Sequence, residues 1–216
     1  MKKLVTFAQV VALGLFVAAC GPQGGGDSES DDKKDKKEQK GKKADKKDYT
    51  FNLDESAVNW SGTLVGVYTH RGAVDFKEGK FTAAGDKLKK GTFVVDLTTI
   101  VPTDDNYEPD EEGKTKDDLV EHLKDDDFFN VEKHPTAKFE VIEHNVEANT
   151  LKGKMTIRGN THEETVKEFM FNPETGQARG NLKLKRKKYD VAFTHPLEDM
   201  TVSNEIEMEI HFKVAS

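Results

Sequence analysis

The chain has 216 residues, a formal net charge of −7 and a single cysteine. From Tyr49 onward, 22 Lys and Arg stand against 32 Asp and Glu. That acidic surface opposes a phosphate backbone and argues against nucleic-acid binding. One cysteine leaves no internal disulfide and no thiolate metal site.

Lys2 and Lys3 precede an apolar run from Leu4 to Phe16, interrupted by Thr6, Gln9 and Gly14. Val17-Ala18-Ala19 then places small residues before Cys20. A positive start, a short apolar core and a small-residue ending form a secretory signal peptide. The run falls short of the ~20 residues that span a bilayer. The small-small-Cys ending resembles a bacterial lipoprotein signal. The resemblance implies cleavage before Cys20, with residues 1–19 removed and Cys20 acylated. Acyl chains contribute about 0.8 kcal/mol per buried CH₂, so several together anchor stably. The protein is therefore expected to be exported and lipid-anchored through Cys20 to the bacterial envelope. Gly21, rather than Asp, follows the cysteine. By analogy with enteric bacteria, that favours the outer membrane.

Residues 20–48 read as a tether. Between Asp27 and Asp48 there are nine lysines and eight acids, with Ala44 the only aliphatic side chain. Such a stretch buries too little apolar surface to offset chain entropy. The interleaved acids also argue against a lipid-binding lysine patch.

Residues 49–216 form one domain with a mainly period-two pattern. Val202, Asn204, Ile206, Met208, Ile210, Phe212 and Val214 alternate with Ser203, Glu205, Glu207, Glu209, His211, Lys213 and Ala215. That is a half-buried antiparallel strand. Shorter alternations occur at Val58–Trp60, Phe93–Leu97, Phe139–Val141, Leu151–Ile157 and Leu182–Leu184. Turn signals separate them at Lys77–Lys80, Ala84–Asp86, Glu147–Asn149 and Pro173–Gly176. Gly62 and Gly66 would ease the curvature of a barrel strand. Many short strands with tight turns predict an all-β sandwich or barrel. Between them, Leu119, Val120 and Leu123 fall at helical spacing, predicting one short helix over Lys116–Lys124. The acidic stretch before it, Pro102 to Gly113, should be an exposed loop.

Catalytic signatures fail one by one. An EF-hand starting at Asp104 would need Gly at its sixth position, where Pro109 stands. His70, His122, His134, His144, His162, His195 and His211 are scattered, and none has the paired spacing of a zinc hydrolase. No nucleophile elbow and no glycine-rich phosphate loop occur. The chain is expected to be no enzyme and to hold no metal.

Several segments resemble the YceI-like family of polyisoprenoid-binding proteins. They are Trp60-Ser61-Gly62, Thr69-His70-Arg71-Gly72, Gly91–Asp96, Leu119–Val131, His134–Phe139 and Leu151–Thr161. Together they cover nearly all of Tyr49 to Ser216. His134 stands where an aromatic is usual, Asn130 replaces Asp, Met155 replaces Leu, and Lys185–Lys188 is more basic. The resemblance implies an antiparallel, lipocalin-like β-barrel with one capping helix, holding a long apolar ligand, a polyisoprenoid or isoprenoid quinone. Trp60, Phe76, Phe81, Phe93, Phe139, Phe169, Met208 and Phe212 would line such a tunnel or equally form packed core. His70 is placed for a ligand head group, His122 for anchoring the helix, and Phe128 and Phe129 for plugging the barrel end. Two functions stay open: a membrane-anchored carrier or reservoir of isoprenoid lipid, and a structural or stress-response lipoprotein acting through an unidentified protein partner.

Overall fold

A hairpin ladder accounts for most of the chain in the computed structural model, which describes residues 44–194 and 201–216. The signal segment, Cys20 and residues 20–43 lie outside the described residues. The strands are β1 (Lys46–Leu64), β2 (Tyr68–Ala84), β3 (Lys87–Asp96), β4 (Val101–Pro102) and β5 (Thr136–Asn145). They continue as β6 (Thr150–Ile157), β7 (Asn160–Asn172), β8 (Gln177–Lys185) and β9 (Val202–Val214). Every pairing is antiparallel, in the order β1-β9-β8-β7-β6-β5-β3-β2, and β1 also pairs with β2. Eight strands thus close into a barrel, with β4 a two-residue addition on β2 at Gly72 and Ala73. Closure satisfies both edges of each long strand, which an open sheet cannot do.

Local chemistry sets the turns. Arg158 and Gly159, at φ +49° and +75°, link Ile157 directly to Asn160. Positive φ at both central residues is the type I′ geometry that matches strand twist. The Ala84–Asp86, Glu147–Asn149 and Pro173–Gly176 turns occur where the sequence signals them.

Three local expectations are corrected. Lys77–Lys80 is not a turn but lies inside β2, where the register shifts between Phe76 and Glu78. Gly79 is there because the Phe51 ring lies flat on it: a Cβ would sit 2.0 Å from Phe51 Cδ2. Gly66 belongs to the β1–β2 turn at φ +77°, not to a curved strand. Finally, β1 begins inside the stretch read as tether, with Lys46–Asp48 paired to Ala84–Thr82. Backbone pairing and the Thr82 hydroxyl, which donates to Asp48, hold these charged residues in the sheet.

Helix α1 covers Lys116–Lys124, as the spacing of Leu119, Val120 and Leu123 predicts. Thr115 caps it: its Oγ1 accepts from the Asp118 amide at 3.1 Å, while Asp118 Oδ2 accepts from the Thr115 amide at 2.9 Å. This reciprocal box satisfies two N-terminal donors. Leu123 is buried and turns the helix toward one end of the barrel. Arg158 Nη1 donates to the Phe128 carbonyl at 2.6 Å, fixing the following loop on the same end.

The core is divided along the barrel. At the end away from α1, Tyr49, Phe51, Phe81, Phe171 and Phe212 pack ring on ring. At the α1 end the inward residues are smaller or more flexible, among them Gly62, Val74, Val95, Ala137, Met155 and Val202.

Candidate ligand cavity and its polar rim

The smaller side chains leave an internal cavity of about 150 Å³. Period-two alternation puts every second side chain of each strand on the inner face. Trp60, Phe76, Phe93, Phe139, Phe169, Met208 and Phe212 all line this cavity. Phe81 does not; it lies behind Phe93 and Phe212, as packed core. Phe128 and Phe129 line the α1 end.

Close approach to glycine holds the aromatic walls in place. Trp60 lies on Gly72, where a Cβ would come 2.2 Å from its Cζ2, and its Nε1 donates to the Ala73 carbonyl at 3.3 Å. Phe139 lies likewise on Gly153, with Cζ 2.3 Å from a built Cβ. Met208 pairs with Trp60 across one strand boundary and with Leu182 across the other.

His70 is not in the cavity wall. It faces a hollow on the rim that also touches Trp60, Gly62 and Thr63. Its Nδ1 lies 3.2 Å from Asp104 Oδ1, and its ring stacks on Tyr107 at 5.0 Å and 15°. Asp104 also accepts from the Arg71 amide at 2.8 Å, the Asn106 amide at 3.0 Å and the Tyr107 hydroxyl at 2.9 Å. Burial pushes the Asp104 carboxyl up, but these donors and His70 more than offset it, holding it at about 2. In the neutral tautomer that donates from Nδ1 to Asp104, the other ring nitrogen of His70 is an acceptor. Burial and the Asp104 charge push the Tyr107 hydroxyl above its ordinary value. The expectation of an exposed acidic loop therefore fails at Asp104, whose side chain is 7% exposed, and holds at Asp105. Four hydrogen bonds offset the burial of one carboxylate.

His122 packs edge-on against Phe193 at 4.2 Å and Phe128 at 5.4 Å. It joins the helix to the loops over the mouth.

Sequence reasoning missed Arg186. It is 2% exposed and lines the mouth of the cavity, while Lys185, Lys187 and Lys188 face solvent. Its guanidinium donates to the carbonyls of Val191 at 2.7 Å, Ser203 at 2.9 Å and Val202 at 3.3 Å. Among the described residues, no carboxylate lies within 4.0 Å of it. Burial lowers its pKa. The signal was present: inward alternation at Leu182 and Leu184 continues to position 186, hidden within a run of lysines.

This is a closed antiparallel barrel around an apolar cavity, with its polar lining groups, among the described residues, at the mouth, a lipocalin-like architecture. The chain belongs to the YceI-like family, whose domain model matches residues 49–214. Burkholderia cenocepacia BcnA shares the fold, with a TM-score of 0.52 and 18% identity over 77% of this chain and 99% of that one. A polyisoprenoid binding domain from Saccharophagus degradans, implicated in plant cell wall breakdown, gives a TM-score of 0.49 and 12% identity over 77% and 98%. The Campylobacter jejuni YCEI protein gives 0.38 and 17% over 72% and 84%. A search of the curated proteins gives no match.

Proposed function

We propose that this protein is an exported, lipid-anchored carrier or reservoir that binds an isoprenoid chain inside its barrel and catalyses no reaction. The observation that carries this reading is the cavity: its walls are apolar, and Thr63, Arg186, Ser203 and Glu205 at the mouth are its polar or charged lining residues. Apolar walls with a polar rim favour a ligand with an apolar chain and one polar end. Each buried CH₂ contributes about 0.8 kcal/mol to retention. The isoprenoid identity, a polyisoprenoid or isoprenoid quinone, follows from the sequence resemblance. His70, held on the rim by Asp104, supplies a contact for a polar head.

Acylation of Cys20 would anchor the barrel to the bacterial envelope, at the outer membrane by the analogy of Gly21. Cys20→Ser should convert a detergent-requiring protein into a soluble or unprocessed one; wild-type protein in the soluble envelope extract would remove the anchor. For the ligand, protein purified from its own membranes should release stoichiometric isoprenoid on organic extraction, identified by mass spectrometry. Absence of lipid, together with a melting temperature unmoved by added isoprenoids, would leave the packed barrel acting through a protein partner.

A further inference from the structure

Val65, Val67 and Tyr68 are 54%, 53% and 42% exposed. They are three of the seven large apolar or aromatic side chains left in water among the described residues, and they share one turn. That turn joins β1 to β2 at the α1 end: Leu64 pairs with Tyr68, and the Val67 amide donates to the Leu64 carbonyl at 3.1 Å. Gly66 supplies the positive φ, +77°, that a type II turn needs at its third position. The Val65 amide donates to the Thr201 carbonyl at 2.8 Å, fixing the turn to the start of β9. Apart from its chain neighbours, nothing lies within 4 Å of a Cβ built on Gly66, so the tip projects clear of the barrel. Turns favour Gly, Asn, Asp and Ser for their backbone freedom and local hydrogen bonds, and two solvent-facing valines serve neither end.

The charge pattern and the place of the tether say what covers this tip. From Ser56 to Thr69 no side chain is charged, in a chain that is 34% Asp, Glu, Lys and Arg. The turn stands at the cavity's mouth, where Leu64 and Tyr68 line the rim hollow with Trp60 and His70. Lys46, at the other end of β1, pairs with Ala84 at the end away from α1. The 26 residues from Cys20 to Asp45 therefore join the barrel opposite its mouth. The 17 residues of β2 rise ~40 Å between those ends at the usual strand rise and tilt. A relaxed tether of this length reaches only ~30 Å, and a fully extended one ~90 Å. Left to itself, the tether keeps the far end toward the membrane. It is long enough to let the mouth meet the lipid, provided something holds the mouth there.

We propose that the Val65–Tyr68 turn inserts into the headgroup boundary of a phospholipid bilayer and turns the barrel mouth toward the membrane. The loop beside it, Thr103 to Asp118, carries eight acids against two lysines, and Asp105, Glu108 and Asp118 line the rim hollow. The surface that fits is accordingly zwitterionic, since anionic lipid repels these carboxylates. This inference rests on the anchored-carrier reading and adds the surface that the mouth meets.

The test reads orientation. The full chain, purified from its own membranes, is reconstituted into phosphatidylcholine vesicles that carry a nitroxide quencher on the acyl chains. Acylation blocks Cys20, so Val67→Cys at the tip and Glu174→Cys at the far end each present one free thiol for a fluorophore. Quenching at residue 67 should exceed that at residue 174 by at least about fivefold, because the ends stand farther apart than a ~30 Å hydrocarbon core is thick. Val65→Asp, at an exposed site, should cut the quenching at residue 67 at least about tenfold, since a carboxylate is expensive in lipid. Adding phosphatidylglycerol should weaken it, and a gain would overturn the zwitterionic surface. Equal quenching at the two positions overturns the docking. A dimer in detergent that Val65→Asp breaks also overturns it and makes the turn a contact between copies. Wild-type protein that takes up the fluorophore has a free Cys20; that removes the anchor, and the two positions are then compared in the Cys20→Ser background. Tip quenching in protein that yields no lipid on extraction removes the carrier and leaves the docking.

Discussion

Replacing Arg186 by methionine pits two large opposing effects against each other. Methionine fills similar volume and removes a guanidinium that is 2% exposed. The carbonyls of Val191, Val202 and Ser203 lose their donor. Buried acceptors left unmade cost about 1–3 kcal/mol each, so three at the lower end of that range cost ~3–6 kcal/mol. Against this, methionine relieves the desolvation of a buried cation, an effect of a few kcal/mol once the carbonyl dipoles are counted. Taking ~5–6 kcal/mol for the bonds against ~3 kcal/mol for desolvation, the bonds win by ~2–3 kcal/mol. For a domain of this size that corresponds to a fall in Tm of about 4–10 °C. Arg186→Lys separates the two effects. Lysine keeps the buried charge but cannot span three carbonyls with one ammonium, so it should destabilise more than methionine. Urea unfolding of the three proteins gives the order wild type, Met, Lys. A methionine variant as stable as wild type would show that desolvation matches the bonds. A lysine variant more stable than the methionine one would refute the reasoning.

Two pH effects follow from the rim and the closed end. The folded Asp104 pKa of about 2 lies below its ordinary 3.8, so its contribution is complete above about pH 4 and lost as pH falls toward 2. The shift corresponds to ~2 kcal/mol, which Asp104→Asn should remove at pH 7 and leave unchanged near pH 2, as read by unfolding free energies; an equal effect at both pH values would contradict the pairing. His144 is 2% exposed, accepts from the Leu88 amide at 3.1 Å through Nδ1, and leaves Nε2 unpaired. Burial lowers its pKa below 6.5; Asp86 opposes this, and Lys87 and Lys89 add to it. The unfolded chain therefore takes up the proton first, and stability falls as pH drops below about 6.5. His144→Asn keeps an acceptor for Leu88 and removes the titration, so its Tm should fall less than that of wild type between pH 7.5 and 5. Equal slopes would exclude His144 as the titrating group.

The sequence by itself determined what depends on neighbours along the chain. Period two in Val202–Val214 and Leu151–Ile157 reflects the two faces of a pleated strand, and these became walls of the barrel. The spacing of Leu119, Val120 and Leu123 sufficed for α1 because a helix repeats within four residues. Alternation says that a side chain points inward but not how far along the barrel it sits. Only the tertiary structure decided that Phe51, Phe93 and Phe212, from three different strands, stack on one another, and that Phe93 and Phe212 line the cavity with Trp60 and Met208 while Phe51 does not. The same holds for Asp104, which meets His70 across 34 residues, and for Gly79, whose turn-like neighbourhood hid a seat for a distant ring. Register between strands far apart in sequence sets these encounters; local alternation forbids one-residue slips, which would turn the apolar face outward, but does not choose among shifts of two residues.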